Sequence, residues 1–352
     1  MPFPRASGVG RKLTLLGLSV TLLALLSGCM MQPHSTVMPK TEAARQIQDL
    51  YVLVFWLAAV VFVGTQGGLL YVLWRFRARP GHQMPEQTHG NTTLEIGWTI
   101  APAVILVFMA VPTIQTIFAL ESAPPPSPDG NPPLIIEVIG KQWWWEFKYP
   151  ENMLGDGKTP LTSANELVIP TGRTVYLSIT SDNVIHSFWV PQLMGKIDAM
   201  PNHDNRIWFT AEEPGQYWGQ CAEYCGIQHA QMRMNVIAMT PTDYQAWVAR
   251  SVKPAVPETD IAKAGQEAFT ANGCAGCHTV DGNPTAVGKT GPNLSHFGSR
   301  TTLGASILPN TPENLHAWLA DPQAIKPGNI MQNLHIRPSD LDALVAYLHS
   351  LR

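Results

Sequence analysis

Two long apolar segments constrain the fold of this chain more than any other feature. They cover residues 51–74 and 94–120, and Pro102 and Pro112 interrupt the second. A bilayer span needs ~20 apolar residues, and neighbouring helices can accommodate proline within the membrane. Only 14% of the residues are charged, which agrees with membrane content because spans exclude charge. We therefore expect a transmembrane helix pair over residues 51–120.

The flanking charges predict how this pair is oriented. Arginines lie between the two segments, within residues 75–79, and residues 1–28 combine a basic start with a short apolar stretch. The basic loop is expected to face the cytoplasm, and the start of the chain has the pattern of an export signal. Both features predict that the residues after the two membrane segments lie on the outer, periplasmic face. We therefore expect a multi-pass protein of the bacterial cytoplasmic membrane.

The predicted signal ends in Leu26-Ser27-Gly28-Cys29, which resembles the lipobox of bacterial lipoproteins. This resemblance implies cleavage before Cys29 and lipidation of its sulfur, so that membrane lipid becomes a partner. An uncleaved anchor with an incidental cysteine is the alternative. In either case residues 29–50 form a short segment ahead of the membrane helices.

The region after the membrane segments predicts a β domain. A Pro-rich linker over 121–133 is followed by β-branched and aromatic runs separated by turn residues over 134–240. Such spacing is typical of an all-β sandwich or barrel. The runs cover residues 134–139, 168–169, 175–179, 188–190, 207–209 and 234–238.

The C-terminal region predicts a small all-α domain. A second linker is expected over 241–258, and helical patterns follow within 259–352. Ser339 is a plausible N-cap of the last helix. The helical patterns cover residues 261–271, 312–320 and 339–351. A net charge of −3 gives no reason to expect a nucleic-acid partner.

Metal-ligating side chains are concentrated in one short loop of the β domain. Cys221, Cys225, His229 and Met232 lie in it, and His186 lies upstream. Soft sulfur ligands with imidazoles on a β scaffold favour copper used for electron transfer, and two cysteines suggest two copper ions. A structural disulfide and a closed zinc site are alternatives, but neither explains the methionine.

The helical domain contains a second redox motif, Cys274-Ala-Gly-Cys277-His278. C-x-x-C-H is the signature of covalent haem c attachment, with the histidine as an iron ligand. A redox C-x-x-C competes, but it normally lies in a βαβ context. The second iron ligand should be methionine or histidine, which favours Met331 over His335 because methionine ligation raises the potential.

The loop matches the Cys-x-Glu-x-Cys-x-x-x-His-x-x-Met pattern of subunit II of cytochrome c oxidases, the binuclear CuA site. The resemblance implies that Cys221 and Cys225 bridge the coppers, with His186 and His229 binding one copper each. It also implies Met232 as a weak axial ligand. It further assigns a ligating backbone carbonyl to Glu223, whose side chain would reach a magnesium ion at the interface with the catalytic subunit.

Other segments extend the resemblance. In residues 140–147, Trp143 corresponds to the residue that receives electrons from a cytochrome, although an aromatic core strand is an alternative for at least one of the three tryptophans. In residues 91–102, Glu95 corresponds to a glutamate at the mouth of a proton channel; the alternative is a carboxylate at a helix N-terminus. Asn183 and the segment 201–205 depart from the family pattern and weaken the expectation of external cytochrome docking.

The resemblance implies a multidomain fold: a two-helix transmembrane hairpin, a cupredoxin-like β sandwich and a class I cytochrome c domain. It implies a subunit that passes electrons from haem c to CuA and on to subunit I, where oxygen is reduced with proton translocation. The expected partners are subunits I and III and an upstream reductant such as a quinol–cytochrome c reductase or its carrier. The alternatives are a nitric oxide reductase subunit and a membrane-anchored electron carrier without a catalytic partner.

Overall fold

The computed structural model describes residues 34–78, 89–150 and 161–352, together with 17, 19–21, 80, 81, 84 and 87. Cys29 and most of the predicted signal segment 1–28 lie outside the described residues. The described chain forms a long helix pair, a two-sheet β domain and a small helical domain, in that order.

The two apolar segments form helices α1 (Glu42–Arg75) and α2 (Thr92–Glu121). Both are long and apolar enough to cross a membrane, and nothing in the described chain buries their most apolar windows. Pro102 and Pro112 lie within α2. Helix α1 begins well before residue 51, because Thr41 caps it by accepting a hydrogen bond from the backbone N–H of Ala44.

This first turn of α1 packs on the β domain instead of extending into the membrane. Ala43 and Ala44 are buried there, and Arg45 pairs with Glu212 at 2.5 Å. The hydroxyl of Thr41 also donates to the backbone carbonyl of Leu193. The contact fixes one end of the helix pair against the sandwich.

The β domain is a sandwich of two five-stranded sheets. The strands are β1 (Leu134–Lys141), β2 (Trp144–Lys148), β3 (Thr162–Ala164), β4 (Glu166–Pro170), β5 (Thr174–Ser181), β6 (His186–Trp189), β7 (Ile197–Ala199), β8 (Asn205–Thr210), β9 (Gly215–Cys221) and β10 (Arg233–Met239).

The strand order is β3-β2-β1-β5-β8 in one sheet and β4-β10-β9-β6-β7 in the other. Strand β1 runs parallel to β5, and β4 runs parallel to β10, while the other neighbours are antiparallel. Alternating apolar residues from both sheets fill the space between them, as period-2 patterning requires.

The first half of the expected linker 241–258 is a helix, α3 (Pro241–Ser251). Thr240 caps it and Pro241 occupies its first turn, a common helix start. Tyr244 is buried in the sandwich core and Trp247 packs against it. The helix therefore closes the β domain, and the connecting segment is shorter than the composition suggested.

The C-terminal domain is helical, with a short two-stranded ladder between its helices. Its first and last helices, α4 (Asp260–Ala271) and α7 (Pro338–Ser350), pack together, and the rings of Phe269 and Tyr347 lie 5.7 Å apart. The expectation that Ser339 caps α7 is wrong: Arg337 is the N-cap residue and Pro338 begins the helix. The elements are α4 (Asp260–Ala271), β11 (Thr302–Leu303), β12 (Leu308–Pro309), α5 (Pro312–Ala320), α6 (Pro322–Ile325) and α7 (Pro338–Ser350).

Candidate copper and haem sites

Adjacent strands of one sheet bring the expected copper ligands together. His186 is the first residue of β6 and Cys221 the last of β9, and the two strands pair at Phe188 and Cys221. The chain then loops back to begin β10 at Arg233, just after Met232. The Cys221 N–H donates to the Met232 carbonyl at 2.9 Å, which closes the base of the loop.

The donor atoms converge on one small volume. The two cysteine sulfurs lie 3.7 Å apart, and the Sγ of Cys221 lies 3.9 Å from His186 Nδ1. The Sγ of Cys225 lies 3.8 Å from both His229 Nδ1 and the Met232 sulfur. Each cysteine thus faces one imidazole, a pairing that suits two metal ions sharing both sulfurs.

The alternatives for this cluster fit the geometry less well. The sulfurs are too far apart for a disulfide, whose S–S distance is about 2.05 Å, and the four described cysteines are free. A closed zinc site uses four donors, whereas here a thioether lies beside two thiols and two imidazoles. The backbone carbonyl of Glu223 adds a further oxygen 3.2 Å from the Cys221 sulfur. This donor set fits the soft-ligand preference of copper.

The cluster also favours thiolate, the form that binds metal. The pKa of Cys221 is lowered because the Cys225 thiol donates a hydrogen bond to it, with a further contribution from His186. The pKa of Cys225 is raised because its thiol gives that hydrogen bond to Cys221, and burial and the charge of a neighbouring thiolate raise it further. A metal cation would remove that repulsion and stabilise both sulfurs as thiolates.

Two residues that the sequence did not assign to the site orient His186. Asn183 Oδ1 lies 3.2 Å from His186 Nε2, so the amide oxygen holds the ring by its outer nitrogen while Nδ1 faces the sulfur. Gly140 lies against the ring, and a Cβ there would lie 2.8 Å from His186 Cδ2. The departure from the family pattern at Asn183 is therefore a contact to a candidate ligand.

The tryptophan segment divides between core and site. Trp145 is completely buried in the sandwich core, as expected for a core strand. Trp143 is half-buried and donates its indole N–H to the carbonyl of Cys225 at 2.9 Å. The side-chain amide of Gln142 donates to the same carbonyl at 2.8 Å. Trp143 thus touches the copper loop directly.

The helical domain contains a cavity of about 500 Å³. The cysteines and histidine of the C-x-x-C-H motif, together with Met331, lie in its wall. Core side chains such as Phe269, Leu294 and Leu344 form the apolar remainder. An apolar cavity with two thiols, an imidazole and a thioether in its wall suits a large flat cofactor held by covalent and metal bonds.

The motif histidine is oriented before any metal binds. His278 Nδ1 lies 2.8 Å from the Pro292 carbonyl, which fixes that nitrogen as the donor and leaves Nε2 free to bind. Burial lowers the pKa of His278 and favours the neutral, ligating form. Gly291 packs against the ring, where a Cβ would lie 2.4 Å from Cε1. Pro292 and Gly291 thus support the ring.

The candidates for the second iron ligand separate clearly. Met331 lies half-buried in the cavity wall, and its carbonyl accepts a hydrogen bond from the side chain of Gln323 at 2.7 Å. His335 is exposed and does not line the cavity. His316 faces Asp342 at the surface, and His296 and His349 lie away from the cavity wall.

Two cations lie in the wall of the same cavity, Lys326 buried and Arg300 half-buried. Lys326 is 3% exposed; its amine donates to the Gly304 carbonyl, and burial lowers its pKa to about 8. Arg300 donates to the carbonyl of Asn293, and burial lowers its pKa to about 10. The motifs had not pointed to either residue. Their positions beside an electron-transfer cofactor would raise its potential, since a cation favours the reduced state.

The two expected acidic sites lie at exposed positions. Glu223 projects from the copper loop, while Glu95 lies in the first turn of α2, which Asn91 caps. The position of Glu95 is the one that a helix dipole favours for a carboxylate. Within the described residues neither side chain belongs to a metal-binding cluster.

Comparisons with known proteins cover nearly all of the chain. Family models match the transmembrane domain of cytochrome c oxidase subunit II at residues 24–116, its periplasmic domain at 134–239 and cytochrome c at 262–352. A cytochrome c oxidase subunit 2 of Alkalihalophilus pseudofirmus is 39% identical over 94% of this chain and 95% of its own length. That of Bacillus subtilis is 35% identical over 93% and 94%.

Among solved structures, the periplasmic domain of subunit II of the Bradyrhizobium japonicum cytochrome oxidase is similar to part of this chain. It is 30% identical over 34% of this chain and 93% of its own, with a TM-score of 0.31. The family models and the two full-length relatives together span the anchor, the copper-site domain and the cytochrome. The chain therefore belongs to the cytochrome c oxidase subunit II family, in a form that carries a C-terminal cytochrome c domain.

Proposed function

We propose that the fused cytochrome domain of this chain delivers electrons to its own copper domain across the interface seen in the structure. One observation carries the proposal. The haem cavity opens onto the copper domain, so that Trp143 and Trp144 form part of its wall, and Trp143 also donates to the carbonyl of Cys225. One indole thus touches both candidate sites.

The residues that would hold the cofactors follow from the donor atoms. Six residues would hold a binuclear CuA centre: His186, Cys221, Glu223, Cys225, His229 and Met232. Cys274 and Cys277 would bind haem c covalently, with His278 and Met331 on its iron. When bound, each of these centres takes up and releases one electron at a time.

The surrounding side chains prepare the sites for fast transfer. Asn183 and the Pro292 carbonyl hold one imidazole in each site, so that little rearrangement is needed. The copper ligands Cys221, Cys225 and Met232 are at least 95% buried, which excludes water from their donor atoms. The tether between the domains also keeps donor and acceptor close, at a high effective concentration.

Oxygen chemistry belongs to a partner subunit. Helices α1 and α2 contain no histidine that could hold an oxygen-reducing metal centre. As a member of this family, the chain is a membrane-anchored subunit of an oxidoreductase complex, with subunit I as its partner and the copper-site domain on the outer face.

We further propose subunit III and an upstream quinol–cytochrome c reductase or its carrier as partners. We also propose proton translocation and location in the bacterial inner membrane. Oxygen consumption by the purified complex, without nitric oxide consumption, would support an oxidase over a nitric oxide reductase.

Three further sites remain proposals. The carboxylate of Glu223, which is exposed in the described chain, would reach a magnesium ion at the boundary with subunit I, and E223Q should lower the magnesium content of the complex. Glu95, at the start of α2, would lie near a proton channel, and E95Q should slow proton uptake. Lipidation of Cys29 would appear as a lipid mass on the N-terminal peptide.

Spectroscopy with metal analysis of the purified full chain tests the cofactor assignment. Two copper ions with a delocalised mixed-valence electron paramagnetic resonance signal, plus one low-spin haem c, are expected. C225S should abolish the mixed-valence signal and leave the haem spectrum unchanged. A single copper or zinc ion in the unmodified chain would refute the binuclear site.

A further inference from the structure

A buried carboxylate of the copper domain reaches into the cytochrome domain. Glu166, at the start of β4, is only 4% exposed. Its Oε1 accepts hydrogen bonds from the backbone N–H groups of Thr301 and Thr302, both at 2.9 Å. The two hydroxyl groups donate to the same oxygen, at 2.7 Å from Thr301 and 2.9 Å from Thr302.

The chemistry of this contact favours the docked arrangement of the two domains. A carboxylate is costly to bury unless hydrogen bonds satisfy it, and bonds to an ionised acceptor are stronger than neutral ones. Within the described residues, every hydrogen bond to the Glu166 side chain comes from the cytochrome domain. The nearby guanidinium of Arg300 interacts favourably with the same charge. The carboxylate therefore has its protein partners only when the two domains are docked.

The contact is tied to the wall of the haem cavity. Thr302 itself lines that cavity, and so do the next three residues, 303–305. Neighbouring bonds reinforce the same edge, with Asn293 donating to Thr162 at 3.0 Å. Elsewhere in the interface, the side chain of Gln228 in the copper loop donates to the Pro327 carbonyl in the methionine loop. The copper domain thus holds the cytochrome domain both at strands β3 and β4 and at the copper loop.

We propose that Glu166 is a positioning residue for electron transfer between the two domains. It holds the fused cytochrome in one docked orientation, with the cavity against Trp143. The rate of electron transfer is therefore not limited by motion of the tethered domain. The proposal rests on the proposed function and deepens it. The only particle that moves in this step is one electron, from the reduced haem to the oxidised copper pair.

Hydrogen–deuterium exchange of the full chain tests the contact without relying on activity. In E166A, exchange at the amides of Thr301 and Thr302 should rise at least about tenfold, because a charge-assisted acceptor is lost. E166Q keeps an amide oxygen but no charge and should be intermediate. E137A is the matched control, since Glu137 is a half-exposed strand carboxylate that pairs with Lys148 within the copper domain.

Flash photoreduction of the haem tests the positioning role. In the unmodified chain, copper reduction should follow a single exponential whose rate does not change with added glycerol. In E166A, the rate should fall about tenfold and become viscosity-dependent, because domain motion then limits it. The double variant T301V/T302V removes the two hydroxyl donors but keeps the two backbone N–H donors, and should show a smaller change of the same kind. A merely structural role would change cofactor content or spectra without creating viscosity dependence.

The outcomes separate the two proposals. Unchanged exchange and a viscosity-independent rate in E166A would overturn the positioning role. If E166A fails to retain its cofactors, E166Q and T301V/T302V decide by the same two criteria. If the unmodified chain shows no haem-to-copper transfer, the proposed function fails, while the exchange experiment still decides whether Glu166 holds the domains together.

Discussion

The copper site and the haem site differ in how far the polypeptide alone completes them. In the copper site, both thiols and both imidazole Nδ1 atoms lie within 3.9 Å of a neighbouring donor, at the edge of the sandwich core. In the haem site, His278 is held by Pro292, but the ligands surround a cavity of about 500 Å³. Copper ions would bind between side chains that the sandwich already positions, whereas the haem would form part of the core of its own domain.

The difference follows from the scaffolds. A two-sheet sandwich buries side chains from the inner faces of both sheets, and the copper loop lies at the edge of this core. The cytochrome domain has fewer residues, and much of its apolar core faces the cavity, including Phe269, Leu315 and Leu344. Small domains often depend on a cofactor because their own apolar burial is marginal. We therefore expect cofactor loss to affect the two domains unequally.

Replacing the two cysteines that are proposed to bind haem, C274S with C277S, should have the largest effect. Without haem, the apolar side chains around a cavity of about 500 Å³ lose a large packing partner, and a domain this small has little other apolar burial to replace it. The cytochrome domain should lose its cooperative unfolding transition in calorimetry, while the sandwich keeps its own. Copper removal by a chelator is the matched control and should leave both transitions. A retained cytochrome transition in the double variant would contradict the comparison.

Two glycine substitutions probe the supported imidazoles as a pair. In G140A the new Cβ would press on His186, and in G291A it would press on His278. G140A should lower copper affinity by about 10- to 100-fold, as loss of ligand orientation does elsewhere. G291A should keep its covalent haem but lose the low-spin spectrum. Equal retention of both cofactors, measured by metal analysis and haem absorption, would show that neither ring needs its glycine.

The smallest expected effect concerns Lys326, whose buried amine lines the haem cavity and interacts electrostatically with Cys225. K326M should lower the haem and copper potentials by roughly 40 mV, equivalent to about 1 kcal/mol for one electron. K263M, which changes an exposed lysine of α4, should not shift them. Redox titration of the full chain measures both.

The sign of the pH dependence also follows. Burial lowers the pKa of Lys326 to about 8, so the amine is charged below that pH and neutral above it. A charged amine stabilises the reduced centres, so both potentials in the unmodified chain should fall as the pH rises through about 8. K326M should lack this fall. An identical pH dependence in both proteins would rule out Lys326 as its source.

Local patterns predicted the element types well. The β-branched and aromatic runs within 134–240 lie in strands, and the expected helix at residues 312–320 is α5, Pro312–Ala320. These predictions succeed because strand composition and helix periodicity are local properties of the chain. Helix α3 was missed because its Pro-containing start lies next to a segment with linker composition. Ser339 was misjudged because Pro338 can begin a helix one residue earlier.

Contacts between distant residues could not be predicted in this way. Glu166 is separated by 135 residues from Thr301, its partner in the cytochrome domain. Lys326 reads as an ordinary loop lysine until the folded chain buries it. Such roles depend on packing between segments that are far apart in the chain. The residues around either partner do not indicate this packing.

The sequence by itself determined the membrane pair, the two redox motifs and their residue types, because these depend on composition and short spacing. Only the tertiary structure decided that the cytochrome docks with its cavity against Trp143, and that Glu166 and Gln228 hold it there. The reason is physical: ligand chemistry is a property of neighbouring side chains, whereas the relative placement of two domains depends on the surfaces that folding creates.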